Sequence, residues 1–373
     1  MNRKIAIMTQ PLGHNYGGII QNYALQTVLK DMGNHPITIN RVPNRQHTEL
    51  RVFLSRSKEF LFKYFFGKDI LTYWELEKAK KNTYEFIKQY INISPVLKSN
   101  ENLLKYFDKE NIDAVIVGSD QTWRPMFSPD IFNYFLDFIS ENKSIKKIAY
   151  ATSFGTSEWE FSPEKTKRAA ELIKQFDDVS VREDSGIDLC EKYLKTKAVQ
   201  TLDPSMLLKA EDYNKLIKQP IKNRGLFSYV LDSSARTNDF ISIQAASLNM
   251  ESFTNQPKIN SNFKKRVEDY IKPPVEDWLA CFRDADYVIT DSFHGTVFSI
   301  LYKKPFISIA NKMRGAARFE SILKQLGLED RLLNDINDFD PLILSKEIDY
   351  DAVSQKLVDL RRQSIDFLRK NLS

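Results

Sequence analysis

Cysteine and histidine are scarce in this 373-residue chain, which contains two of the first and four of the second. Cys190 and Cys281 stand too far apart for a metal knuckle or a redox pair, and two cysteines cannot build a disulfide framework, so a reducing, cytoplasmic setting is expected. No apolar run approaches the roughly 20 residues needed to span a bilayer. The apolar stretch after Met1-Asn2-Arg3-Lys4 is also too short for a signal peptide and reads as a first buried strand. No dense basic tract accompanies the net charge of +5, and no RNA-binding or zinc-finger signature is present, so nucleic acid is not an expected partner. No metal-ligand cluster is visible, and no cofactor is expected.

What is present is an ordinary globular composition, 42% hydrophobic and 28% charged, in a chain long enough for about two domains. Short apolar runs alternate with segments of helical spacing, which predicts an α/β fold with mostly parallel sheets. Ile5 to Met8 runs into a glycine-bearing loop and then into a helix from Ile19 to Met32. Ala114 to Val117, Lys147 to Ala151 and Val179 to Val181 read as further buried strands. The first alternating block is expected over residues 1–205. A second, over 206–350, begins at Gly225 to Leu231, and a last helix, 351–373, closes the chain. Residues 48–90, rich in aromatic and basic side chains, interrupt the first block and read as a helical insertion. Contact of this insertion with an anionic membrane surface, at the inner face of the membrane, is the less favoured reading, because no clean two-faced pattern runs through it.

Asp291-Ser292-Phe293-His294-Gly295 follows a strand, Ala285 to Thr290, and precedes a packed helix. Ligands of open α/β sheets gather beyond the carboxyl ends of the strands, and a helix N-terminus there favours an anion. His294 therefore reads either as a reacting group or as a helix cap. The loop Gly13-His14-Asn15-Tyr16-Gly17-Gly18 lacks the lysine of a Walker A sequence and the spacing of a dinucleotide fingerprint, which argues against nucleotide hydrolysis and hydride transfer.

These pieces in their order resemble the polysaccharide pyruvyl transferase family. The resemblance rests on Asn15-Tyr16-Gly17-Gly18 with Gln21-Asn22-Tyr23-Ala24-Leu25, on Val117 to Trp123, and on Tyr150 to Gly155. It continues through Ser180-Val181-Arg182-Glu183, Leu202-Asp203-Pro204 and the His294 stretch. It implies two Rossmann-like domains in a glycosyltransferase-B-like arrangement, with the last helix crossing back to the first. It also implies phosphoenolpyruvate as donor, a sugar diol of a glycan or lipid-linked precursor as acceptor, and a pyruvate ketal and phosphate as products. Many members carry Ser-Arg-Leu-His-Gly where this chain has Asp291 to Gly295, so Ser292 occupies the place of an arginine, and Arg182, Arg314 or Arg318 is expected to take over its charge.

A site for so compact a dianion needs converging cationic and amide donors. Arg182 is the resemblance's anion-binding arginine, although a surface pair with Glu183 or Asp184 is an alternative. Arg314 and Arg318 are spaced to share a helical face. The reaction needs an acid near neutral pH, and histidine has the nearest ordinary pKa, about 6.5, which points to His294. Asp120 is the candidate base for the sugar hydroxyls, with Asp291 as competitor, while Gln121 and Trp123 beside Asp120 suit a sugar ring. Capping by Asp120 and simple packing by Trp123 remain open. Backbone amides of Tyr16, Gly17 and Gly18, with Asn15, would meet donor or acceptor. Two rival readings are a nucleotide-sugar glycosyltransferase of the same architecture and a non-catalytic glycan-binding protein.

Overall fold

The computed structural model describes residues 2–13, 15–44, 72–221, 223–257, 266–311 and 315–373. The first domain opens with β1 (Lys4–Met8), α1 (Tyr16–Asp31) and β2 (His35–Thr38). After the undescribed part of the insertion come α2 (Tyr73–Ala79), α3 (Lys81–Tyr90) and α4 (Asn100–Glu110). The domain continues with β3 (Ala114–Val117), β4 (Lys146–Thr152), α5 (Pro163–Leu172), β5 (Asp178–Val181), α6 (Ser185–Leu189) and β6 (Val199–Gln200). Four of the five residues of β1 and all of β3 are buried, as parallel strands covered on both faces must be.

The six strands pair in the order β2-β1-β3-β4-β5-β6, every pair parallel. The second domain follows α7 (Ala210–Asn214) and comprises β7 (Leu226–Tyr229), α8 (Ala235–Ser247), β8 (Ser252–Phe253), α9 (Val275–Asp284), β9 (Tyr287–Thr290), α10 (Phe293–Leu301), β10 (Phe306–Ile309), α11 (Ala317–Leu326) and β11 (Leu332–Leu333). Its five-stranded parallel sheet has the order β11-β10-β9-β7-β8. In both sheets the order reverses beside the first strand, between β1 and β3 and between β7 and β9. Such switch points open a crevice at the carboxyl ends of the strands.

One apolar core joins the domains, since Ile5, Ile7, Tyr16 and Ile20 of the first cluster with Trp278, Phe282, Val288 and Phe298 of the second. Tyr16 stacks on Trp278 with centroids 5.3 Å apart, and its hydroxyl donates to Pro273 O at 2.6 Å. Burying such side chains contributes roughly 1.5–3 kcal/mol each. The last helix, α12 (Tyr350–Leu372), lies along the first domain. Leu202 N donates to its Ser364 Oγ, its Arg361 guanidinium holds Met206 O and Leu208 O, and its Phe367 packs on Tyr150. The basic and aromatic stretch between residues 48 and 71 lies outside the described residues, including Arg51, Arg56, Lys58, Lys63 and Lys68; the remainder of the insertion is helical.

Candidate active site

The two switch points face one another across a cleft of about 380 Å³. From the first domain it is lined by Gln10, Asn15, Asp120 and Gln121, and from the second by Asp291, Ser292, Phe293, His294 and Arg318. Asn15 caps α1, its side chain accepting from Gly17 N at 3.1 Å, so the positive end of that helix enters the cleft. Asp120 follows β3 with φ of 79°, a left-handed conformation that aspartate tolerates better than most residues. Its Oδ1 accepts from Gln121 N at 2.9 Å and faces two guanidiniums, Arg182 Nη2 at 3.5 Å and Arg318 Nη1 at 3.8 Å.

Arg182 emerges from the end of β5 and is buried. Nη1 donates to Asp203 Oδ2 at 2.6 Å, while Nε and Nη2 have no hydrogen-bond partner. Arg318 reaches the same place from α11. The loop before α11 passes so close to the first domain that a Cβ on Gly315, at φ +99°, would lie 2.3 Å from Gly155 O. Ser321 Oγ of α11 accepts from Asp184 N at 3.0 Å, which fixes the helix against the first domain. Both guanidiniums rest on the Phe293 ring, Arg182 at 4.7 Å and Arg318 at 5.4 Å from its centroid.

Burial alone disfavours the Arg182 cation, but Asp203, then Asp120 and Glu183, outweigh it and push the guanidinium pKa up. Arg318 is less compensated. Burial, and next the neighbouring Arg182, push it down to about 10 against the pull of Asp120. It stays charged at neutral pH, so the site holds a desolvated positive charge that an entering anion would relieve.

His294 lies in the first turn of α10, which Ser292 caps by accepting from Gly295 N at 3.4 Å. Its ring packs on the first turn of α1 so closely that a Cβ on Gly17 would stand 2.0 Å from Nδ1. Nε2 is buried without a hydrogen-bond partner and lies 3.7 Å from Asp203 Oδ1. No group of three or more His, Cys, Asp or Glu side chains among the described residues is placed to hold a metal ion.

The profile described as "Polysaccharide pyruvyl transferase" matches residues 15–313. The chain belongs to the polysaccharide pyruvyl transferase family. It is accordingly a transferase by family, and no curated protein matches it closely. Among solved structures, it is similar to a putative UDP-N-acetylglucosamine 2-epimerase from Listeria monocytogenes at 11% identity, with a TM-score of 0.50 over 98% of this chain and 90% of that one. It is also similar to the glycosyltransferase SsfS6 from Streptomyces sp. SF2575, at 12% identity, a TM-score of 0.44 and 100% of both chains. A mutant O-GlcNAc transferase from Thermobaculum terrenum is similar at 10% identity with a TM-score of 0.44, and the match covers 98% of this chain and 64% of that one. The fold is α/β, two Rossmann-like domains in a glycosyltransferase-B-like arrangement.

Within this pyruvyl transferase family member, the cleft gathers His294, Asp120, Arg318, Ser292, Asn15 and Gln121, with Arg182, Gly17 and Gly18 directly behind them. Arg314 lies outside the described residues. Trp123 does not line the cleft. It is fully buried, stacked on Phe135 at 5.1 Å, and its Nε1 donates to Tyr134 O at 2.9 Å. The ring and hydroxyl of Tyr16 are committed to the domain junction, while its backbone amide, the group put forward for a ligand, belongs to the first turn of α1. Arg182 is not a surface residue paired with Glu183 or Asp184. The Glu183 carboxylate is instead taken by Ser153 Oγ, Phe154 N and Gly155 N.

Ser292 offers its hydroxyl to the helix rather than replacing an arginine. Asp291 accepts from Leu231 N at 2.6 Å and Asp232 N at 2.9 Å, which commits it to the loop after β7. Sequence reasoning missed Asp203 as a side chain of the site. Its signals are its place in Leu202-Asp203-Pro204, one of the pieces that carry the family resemblance, and an aspartate before proline at a strand end, which reads equally well as a turn residue. Gln10 was also missed; it holds the Gln121 carbonyl and Ser128 at the cleft rim.

Proposed function

We propose that this transferase moves the pyruvyl group of phosphoenolpyruvate onto two hydroxyls of a sugar in a glycan or lipid-linked precursor, in the cytoplasm. The observation that carries the reading is the pair of buried arginines, one from each domain, on a single ring beside His294. Two guanidiniums and the positive end of α1 suit a small molecule that crowds a phosphate against a carboxylate.

In this reading one sugar hydroxyl adds to C2 of the donor as a proton adds to C3, turning the methylene into a methyl. The second hydroxyl then displaces phosphate from C2, which closes the ketal. His294 gives one proton to carbon and the base takes one from the first hydroxyl, while the second hydroxyl's proton leaves with phosphate. Return of the base's proton to His294 through solvent resets both groups, so charge and atoms balance. Asp120 takes the proton of the attacking hydroxyl, because Asp291, the other carboxylate lining the cleft, is occupied by backbone amides. His294 delivers the proton to C3. Arg182 and Arg318 hold the carboxylate and phosphate and stabilise the departing dianion.

Incubation with phosphoenolpyruvate and a panel of glycans, following phosphate release and the mass of the acceptor, tests the proposal. Acceptor-dependent release with a ketal-sized mass gain is expected. Selective binding and turnover of a sugar nucleotide instead would overturn it.

A further inference from the structure

Asp203 sits where β6, the interdomain linker and α10 converge, and the reaction scheme leaves it unused. Its carboxylate is almost fully buried. Oδ2 accepts from Arg182 Nη1 at 2.6 Å and Ser119 Oγ at 3.3 Å, and Oδ1 from Ser205 Oγ at 2.5 Å and Ser205 N at 2.9 Å. The remaining polar neighbour is His294 Nε2, 3.7 Å from Oδ1 and itself without a hydrogen bond.

The other groups around His294 are positive or already engaged. The imidazole lies in the first turn of its own helix and abuts the first turn of α1, so two positive helix ends act on it. Arg182 and Arg318 share the adjacent Phe293 ring. Asp291 is committed to Leu231 N and Asp232 N, while Asp120 faces the two arginines. Asp203 is the carboxylate that faces Nε2.

We propose that Asp203 is a positioning residue for His294, holding the ring with Nε2 inward and supplying the countercharge that lets the imidazole carry a proton between two helix N-termini. The same carboxylate aims the Arg182 guanidinium, so one linker residue couples the anion-binding group of the first domain to the proton carrier of the second. The catalytic consequence rests on the pyruvyl-transfer reading; the electrostatic one does not.

The decisive measurement needs no donor. Isotope-labelled histidine in the full-length protein gives few ring signals, and the His294 signal is the one lost in His294→Gln. In Asp203→Asn its titration midpoint should fall by about one pH unit or more, the usual scale for losing a facing opposite charge. In Ser205→Ala, where Oδ1 loses a hydrogen-bond donor and faces Nε2 with more of its charge, the midpoint should rise. With phosphoenolpyruvate and an acceptor, the alkaline fall of kcat should begin at lower pH in Asp203→Asn and be restored by acidification, whereas a merely structural defect lowers kcat at every pH. An unchanged midpoint in both folded variants overturns the proposal, and if Asp203→Asn does not fold, an unchanged midpoint in Ser205→Ala does so alone. Shifted midpoints in a protein that never turns over phosphoenolpyruvate would keep Asp203 in this role and remove the pyruvyl-transfer reading.

Discussion

The two walls of the cleft are built differently. On the first domain, Asp120, Arg182 and Asp203 arrive from the ends of three different strands and are answered mainly by side chains, Arg182 by both carboxylates and Asp203 by Ser119 and Ser205 as well. On the second, the polar groups at the end of β9 are largely consumed by the backbone: Thr290 Oγ1 donates to Tyr229 O, Asp291 binds two amides and Ser292 caps its helix. That wall contributes chiefly an imidazole and Arg318. A buried charge answered by backbone groups is scaffolding, whereas one answered by other side chains can exchange partners with a ligand. Arg331, equally buried at the far side of the second domain, makes the contrast plain, since it donates to Ile343 O and to Lys346 O.

The sharpest way to break this division is His294→Gln. Loss of a positioned acid removes about 10²–10⁴ in rate, so kcat should fall about 1,000-fold while the unfolding transition is retained. Near-normal turnover in a folded variant would take His294 out of the mechanism. Next in size is a matched pair. Arg182→Met strands Asp203 among buried groups and should cost about 3–5 kcal/mol in urea unfolding. Arg318→Met removes a cation that burial and Arg182 already disfavour, so it should change stability by less than about 1 kcal/mol yet weaken phosphoenolpyruvate binding roughly 100-fold. Equal stability losses would show that the two arginines play the same part.

The walls were also unequally legible in the sequence. Buried strands read directly, because β3 and β9 are continuous apolar runs ending in polar residues. His294 stood out as a scarce titratable residue at such an end. Arg182 and Asp120 could be proposed, but not Asp203, the second carboxylate that Arg182 holds, since it lies 83 residues beyond Asp120 and only the parallel sheet brings their strand ends to one guanidinium. Trp123 misled for a related reason. Local sequence places it beside Asp120, but the turn sends its ring into the core between Phe135 and Phe154. No one-dimensional pattern states on which side of a turn a side chain emerges.

Gly17 links the walls, and Gly17→Ala tests how closely they must meet. A methyl 2.0 Å from His294 Nδ1 cannot be accommodated without moving the ring. A displacement of about 1 Å should lower kcat on the order of 100-fold. Normal kcat in this variant would show that the imidazole does not work from its observed position.

Asp203 makes an acid-side prediction. Burial would raise its carboxyl pKa, but His294 and then Arg182 outweigh burial and hold it well below the usual carboxylate range. A depressed folded-state value contributes stability that is complete above the unfolded value, about 3.9, and is lost as pH falls below it. Wild-type unfolding free energy should therefore drop more steeply below about pH 4 than that of Asp203→Asn. Parallel curves would mean that the buried cluster does not titrate with folding.

The smallest expected effect on activity belongs to Trp123→Phe. If the first wall met a sugar through this indole, kcat/KM for the acceptor would fall steeply, because stacking on a sugar face depends on ring area. The observed indole is instead enclosed by Phe135, Phe154 and the Tyr134 carbonyl. Phenylalanine keeps most of that packing and leaves one buried carbonyl without its donor, a loss of about 1 kcal/mol in stability. Acceptor kcat/KM should stay within about twofold of wild type, since a net change that small sits beneath the scale of a lost ligand contact. A tenfold loss would instead place Trp123 with the answering side chains of the cleft and shift the boundary between scaffold and site.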